Sequence, residues 1–331
     1  MERRELMKII DMHCDTLGGA YRDPEHFSLF SNEASIDFQK MKKGDYMAQF
    51  FAMYLPPRHL AEKAGRVLPP DDEMIQTMSS TLMREIGKHS DLIAFARNAE
   101  ELLANDKAGK MSAFLTIEDG RSVEGSFDKL QHYYDMGVRL ISFTWNFANC
   151  FGSPNSLDKD VMNTGLTQFG KEAVEWMNHK GMLIDVSHLS DGGFFDVARL
   201  SKKPFVASHS NCRALSGHQR NLTDEMIPLL AKAGGVSGIN FCAPFLSEDT
   251  TSKFSNISDM VRHVKHFVKL GGIECVGLGS DFDGITGTLE VNDASMMPNL
   301  LHALSKEGFS DDQLEKIAYK NVLRVIKESL K

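Results

Sequence analysis

Short apolar runs alternate along this chain with stretches whose hydrophobic positions recur at helical spacing. The runs at 8–14, 45–54, 111–117, 138–144, 182–187, 204–208, 235–240 and 274–280 read as strands. Helical periodicity fits between most of them, for example over 72–89, 126–136, 167–180, 224–233 and 257–270. Residues 92–96 are a candidate extra strand, with a helix around 99–105. The tail from 310 to 330 reads as one or two helices, opened by the N-cap signal Ser310-Asp311-Asp312-Gln313. Strands alternating with helices over this length favour parallel βαβ units. Eight repeats predict a closed (β/α)8 TIM-type barrel with extra C-terminal helices, one α/β domain spanning residues 1–331. A doubly wound open sheet is the rival. The glycine-rich phosphate cradles that would favour a nucleotide site on such a sheet, G-x-G-x-x-G after the first strand or G-x-x-x-x-G-K-[ST], are absent.

Polar residues that stand out fall at the C-terminal ends of these runs. The first run ends in His13-Cys14-Asp15. Side chains two apart on a strand share a face, so His13 and Asp15 can grip one metal ion, while Cys14 faces the other way and packs as a small apolar residue. Later runs end in Glu118 and Asp119, in His188, in His209, and in Asp281 and Asp283. A barrel brings all such ends to one face. Nitrogen and oxygen donors of this kind suit zinc, and also manganese, iron or cobalt. One ion needs three or four protein ligands. His13, Asp15, Glu118, His188 and His209 exceed that, with Asp281 still to spare, which predicts two ions sharing a carboxylate and an activated water.

Plainer readings exist for each residue alone. A single histidine at a strand end is often a hydrogen-bonded structural residue. Ser187 or Ser190 can cap a helix, and Asp281-Phe282-Asp283-Gly284 can be an ordinary turn. His26, His59, His89, His132, His179, His218, His263, His266 and His302 lie in loops or helical patterns, where solvated or structural roles are the better reading. Trp145 and the Met- and Phe-rich stretches are core or pocket wall.

Composition narrows the partners. The chain has 331 residues, 42% of them hydrophobic, and a net charge of -8 without a basic stripe, which argues against nucleic acid and anionic membranes. The charged start, residues 1–6, leaves no apolar core for a signal peptide, and no apolar run is long enough to span a bilayer. Five scattered cysteines without CxxC read as reduced thiols of a cytoplasmic protein.

Several segments in fixed order resemble the renal-type (membrane) dipeptidase family of the amidohydrolase superfamily. They are Asp11-Met12-His13-Cys14-Asp15-Thr16, Ile117-Glu118-Asp119-Gly120, the run 181–188 ending in Ser187-His188, Ser208-His209-Ser210-Asn211, Arg220-Asn221 and Gly279-Ser280-Asp281-Phe282-Asp283-Gly284. The resemblance covers nearly the whole chain. It implies a (β/α)8 barrel with two Zn2+ per chain, one on His13 and Asp15, the other on His188 and His209, bridged by Glu118. It implies Asp281 as the acid/base residue and Arg220 as the group that binds the substrate's terminal carboxylate, a pairing that suits a guanidinium fork. The implied activity is hydrolysis of a small dipeptide with a free C-terminal carboxylate by a zinc-bridging hydroxide.

Two departures bear on the substrate. Where mammalian members carry a histidine that steadies the tetrahedral intermediate, this chain has Trp145 followed by Asn146, which places both beside the substrate. Asn146, Asn149 or the second zinc would have to replace that donor. The family's tyrosine after the seventh strand is replaced by Asn240-Phe241-Cys242. Mammalian members are secreted and lipid-anchored, signals this chain lacks. Hydrolysis of another amide or ester, such as a lactam, lactone or N-acyl amino acid, is the alternative activity, and a non-catalytic metal-binding protein is a third reading. Substrate side-chain preference and oligomeric state, a homodimer being one option, are not legible in the residues.

Overall fold

The structure, a computed structural model, describes residues 7–23 and 26–331; the charged start at 1–6 lies outside them. Eleven strands are present among the described residues: β1 (Ile9–Cys14), β2 (Tyr46–Tyr54), β3 (Ile93–Phe95), β4 (Met111–Glu118), β5 (Val138–Ser142), β6 (Leu183–Asp185), β7 (Val206–Ala207), β8 (Val236–Ile239), β9 (Phe254–Ser255), β10 (Val276–Leu278) and β11 (Thr288–Leu289). Eight of them, β1, β2, β4, β5, β6, β7, β8 and β10, pair in that order, all parallel, and β10 returns to β1. The closed barrel therefore matches the periodicity, and the doubly wound sheet is excluded.

The candidate strand at 92–96 exists but stands outside the barrel. One edge of β4 pairs with β2 from Ser112 to Glu118. The other edge pairs first with β3, up to Ala113, and then with β5, from Leu115 onward. The short β9–β11 ladder was not legible, because a two-residue pairing has no apolar run behind it. Except for β4, the barrel strands are also shorter than their apolar runs. Near the open end, side chains capture main-chain amides: Ser208 N donates to Asp185 Oδ1 at 2.8 Å and His209 N to Ser187 Oγ at 3.1 Å, so β7 stops at Ala207.

Side chains from seven strands fill the barrel, including Ile10, Met12, Phe50, Phe114, Leu183, Val206 and Val236. Phe50 and Phe114 stack at 4.6 Å between ring centroids. The same cluster takes in Val322, Leu323, Val325 and Ile326 of the C-terminal helix Asn321–Ser329. That helix bonds to the loops that precede strands: Arg324 donates to Gly234 O and Glu274 O, and Ser329 Oγ to Pro204 O. It closes the N-terminal end of the barrel and leaves the other end for chemistry. The Ser310–Gln313 capping box is present where the N-cap signal stood.

One irregularity aims the first site residues. Pairing of β1 with β2 shifts register between Asp11 and Cys14. Ile10 and Met12 belong to the inner cluster, whereas Cys14 joins the outer layer that packs against helices. A regular strand would put Met12 and Cys14 on one face. The shift fills the barrel below with apolar residues and still delivers His13 and Asp15 together above them. Cys14 packs as expected from its place between the two.

Because Ile326 is fully buried under the barrel, Ile326→Ala is expected to destabilise the chain by about 2–5 kcal/mol. Urea unfolding measures the loss, and the turnover of the remaining folded protein should be unchanged.

Candidate metal centre

All six strand-end residues singled out as ligands or acid/base meet at the open end of the barrel. His13 Nε2 lies 3.4 Å from Asp15 Oδ2, 3.7 Å from Glu118 Oε2 and 3.8 Å from Asp281 Oδ1. His188 Nε2 is 2.9 Å from Glu118 Oε1 and 3.1 Å from His209 Nε2, and His209 Nε2 is 3.7 Å from the same Glu118 oxygen. Glu118 thus turns one oxygen toward His13 and the other toward His188 and His209. Ligand atoms of His13, Glu118 and His209, and those of His13, Asp15 and Asp281, lie within 4.8 Å of one another.

Close backbone packing brings these ends together. A Cβ on Gly279 would stand 1.8 Å from Ser208 O, and one on Gly238 2.1 Å from the same atom, so only glycine lets β8 and the end of β10 approach the segment after β7. Asp281 itself has φ 62°, and Asp119, next to Glu118, has φ 74°. Left-handed backbone is uncommon for residues other than glycine, and aspartate is among the types that tolerate it. The turn at Asp281 is therefore not an ordinary one.

The electrostatics call for a cation. His13 Nδ1 and Nε2 and Asp15 Oδ1 are buried without a hydrogen-bond partner. Burial disfavours charge on His13, but Asp15, Glu118 and Asp281 outweigh it and raise its pKa to about 10. Burial and then Asp15 push Glu118 well above the carboxylate range. Burial raises Asp281 to about 7, against the opposing pull of His13. Burial holds His188 and His209 well below the usual histidine value, so both are neutral, the form in which imidazole ligates. Buried carboxylates that outnumber the available positive charge, beside neutral imidazoles with nitrogens 3.1 Å apart, fit divalent ions.

Neighbouring candidates go elsewhere. Asp119 accepts from Arg121 Nη1 at 3.1 Å and Asn149 Nδ2 at 2.9 Å, and Asp283 accepts from Thr16 Oγ1 at 2.6 Å and Ser35 N at 2.7 Å; both anchor loops. Ser190, not Ser187, caps the helix Asp191–Leu200. Asn149 cannot be the substitute oxyanion donor, because its amide also donates to Phe143 O and its oxygen accepts from Phe151 N. Asn146 lines the cavity, and its oxygen lies 3.2 Å from His188 Nδ1.

A cavity of about 790 Å3 opens over the centre, lined by Tyr54, Trp145, His188, Arg220 and Asp281 among others. Trp145 packs edge-on against Tyr54, with ring centroids 5.2 Å apart. Sequence reasoning missed three contributors. Tyr54 ends β2 and lines the cavity, though its run carried no candidate. Asn240, one residue past β8, donates to Asp281 Oδ2 at 2.8 Å, and the strand-end rule would have found it. His218, read as solvated or structural, lines the cavity as well as accepting Arg220 N at 3.2 Å; a loop position gave no signal.

A closed parallel barrel with imidazoles and carboxylates gathered at its strand C-termini defines a metal-dependent barrel hydrolase. The sequence profile of the membrane dipeptidase family, peptidase family M19, matches residues 3–331. The chain belongs to that family and is a metallodipeptidase. An uncharacterized dipeptidase of Schizosaccharomyces pombe is 30% identical over 97% of this chain and 80% of its own length. The crystal structure of the dipeptidase AC, a metallopeptidase of family M19, superposes with a TM-score of 0.88 at 27% identity, covering 98% of this chain and 99% of that one. A metallopeptidase from Rhodobacter sphaeroides, solved with a phosphinate mimic of the dipeptide L-Ala-D-Ala, also gives 0.88 at 26% identity, covering 98% and 100%. Among the described residues no helix is long and apolar enough to cross a membrane.

Reconstituted protein is expected to carry two divalent ions per chain by elemental analysis, and no more than one would refute the shared centre. Since Glu118 faces both halves, Glu118→Gln should weaken both sites, whereas His13→Ala should mainly empty one.

Proposed function

We propose that this metallodipeptidase cleaves dipeptides with a free C-terminal carboxylate, using two zinc ions held by His13, Asp15, Glu118, His188 and His209. The observation that carries this reading is Arg220. It is 5% exposed, yet it lines the same cavity as the carboxylate–histidine cluster. Its Nε has no partner, and its other contacts are long, 3.3 Å to Ser210 Oγ and 3.3 Å to His209 O. A buried guanidinium with unused donors is placed to receive a carboxylate bidentately. The phosphinate dipeptide mimic bound by the Rhodobacter sphaeroides relative supports a dipeptide as the occupant.

Ions bound at this centre would polarise the scissile carbonyl and make a water acidic enough to attack near neutral pH. Asp281 handles the proton. Asn240 holds its Oδ2, while Oδ1 faces His13 and the cavity. Burial raises its pKa to about 7 in the metal-free chain, and a neighbouring cation lowers it. The carboxylate form then accepts the attacking water's proton and passes it to the leaving amine. Trp145 forms the wall beside the substrate. Asn146 uses its oxygen toward His188, which leaves its amide N–H groups as donors to the developing oxyanion. The five free cysteines support a cytoplasmic location.

Asp281→Asn is expected to keep fold and metal while kcat falls by about 10²–10⁴-fold. A near wild-type kcat would remove Asp281 from proton transfer, and lost metal would make it a ligand instead. A charge-assisted bond from Arg220 contributes about 1.5–3 kcal/mol, or roughly ten- to a hundred-fold in kcat/KM. Arg220→Ala should therefore weaken hydrolysis of a dipeptide acid strongly and barely change that of its C-terminal amide. Equal losses on the two substrates would refute the carboxylate reading.

A further inference from the structure

We infer that Asp185, which touches neither the cavity nor the cluster, is a positioning residue that acts through Ser208 to fix which nitrogen of His209 carries its proton. The inference rests on His209 serving as a ligand, as proposed above. Asp185 ends β6 and is fully buried. Its Oδ1 accepts Ser187 N at 3.0 Å, Ser208 N at 2.8 Å and Ser187 Oγ at 2.6 Å. Its Oδ2 accepts Ser142 Oγ at 2.5 Å and Ser208 Oγ at 2.6 Å. One carboxyl thus ties together the ends of β5, β6 and β7.

Proton accounting carries the rest. Ser208 Oγ lies 2.7 Å from His209 Nδ1. A hydroxyl has one proton to give. Ser208 gives it to the carboxylate, because Asp185 Oδ2, at 2.6 Å, is nearer than His209 Nδ1 or Ser187 Oγ, at 2.7 and 3.1 Å, and is the stronger acceptor. Toward His209, Ser208 can then only accept. The proton of the neutral imidazole therefore sits on Nδ1, and the bare Nε2 lone pair points at Glu118 and the centre. A carboxylate, a hydroxyl and an imidazole form a one-way chain in which each acceptor dictates the donor above it.

Asp185→Asn reverses this chain without changing its shape. Main-chain amides of Ser187 and Ser208 both donate to the Oδ1 position and cannot turn around, so the asparagine oxygen must stay there. Its NH2 group then occupies the Oδ2 position and donates to Ser208 Oγ. Ser208 passes its own proton toward His209 Nδ1, the nearer of its remaining acceptors. The imidazole proton exchanges through solvent to Nε2, where it blocks ligation. Ser208→Ala removes the link altogether and leaves His209 undirected.

Long-range 1H–15N spectra of the metal-free chain with 15N-labelled histidine read the tautomer, and zinc titration against a chelator reads the two affinities. In the wild type, His209 should carry its proton on Nδ1. In Asp185→Asn it should move to Nε2, with a 10- to 100-fold loss of zinc affinity at the site containing His209 and little change at the other. Ser208→Ala should give a smaller loss at the same site and a mixed tautomer. An Nε2 proton in the wild type would overturn the inference. So would a folded Asp185→Asn with unchanged tautomer and affinity, including one that only melts earlier. Should Asp185→Asn fail to fold, an unchanged tautomer and affinity in Ser208→Ala overturn it equally. Neither readout uses a substrate, so a failure of the dipeptide reading leaves both intact.

Discussion

Three carboxylates and three imidazoles withdrawn from water in one cluster set the terms for the rest of this molecule. Asp15, Glu118 and Asp281 lie within 4 Å of a single nitrogen of His13. Like charges at such spacing in a buried site are costly unless positive charge is supplied. In the metal-free chain the proton on His13 supplies part of it. Two divalent ions would supply all of it, so the arrangement that burdens the bare chain is the one that favours metal. Metal held by the five proposed ligands would therefore be coupled to folding.

The cost is contained because the cluster stands on rigid elements. The apolar layers inside the barrel and the helix across its N-terminal end fix the strands below. Above that layer, ladder hydrogen bonds give way to two buried carboxylates. Asp11 accepts from Ser280 N, Ser280 Oγ and His13 N, which binds the end of β1 to the end of β10. Asp185 does the same for β5, β6 and β7. Each pins the backbone close to site residues, His13 and Asp281 in one case, His188 and His209 in the other. These aspartates explain why the apolar runs overshoot the strands.

Most of the centre was legible because strand ends in a barrel share a face, and that geometric rule needs no contact information. The rule located His13, Asp15, Glu118, His188, His209 and Asp281. It could not separate Glu118 from Asp119, where the left-handed backbone of Asp119 sends its side chain to Arg121 and Asn149, or Asp281 from Asp283, whose oxygens are taken by Thr16 and Ser35. It also could not rank Asn146 against Asn149. That choice depends on Asn149 being consumed by Asp119, Phe143 and Phe151, a loop conformation with no periodic trace. Asp185 was hidden for the opposite reason: inside an apolar run, a fully buried carboxylate looks like an interruption of the strand rather than its terminus.

The proposed metal ligands and the proposed substrate-reading groups share one end of the barrel, at the strand C-termini and in the segments that follow them. His13 and Glu118 lie in barrel strands and Asp15 follows β1 directly, whereas His188 and His209 lie three and two residues past β6 and β7, on backbone that Asp185 holds through the amides of Ser187 and Ser208. Trp145 and Asn146, three and four residues past β5, and Arg220, in the segment after β7, line the cavity. Loops tolerate replacement more readily than strands do. Trp145 in place of the family's histidine, or Asn240-Phe241-Cys242 in place of its tyrosine, therefore leaves all five proposed ligands in place. Of Asn240-Phe241-Cys242, the segment that stands where the family carries a tyrosine, Cys242 lines the cavity and Asn240 is fully buried with its amide on Asp281 Oδ2. The segment after β8 therefore borders the cavity with one residue and, with another, orients Asp281, the proposed proton carrier, from outside the cavity.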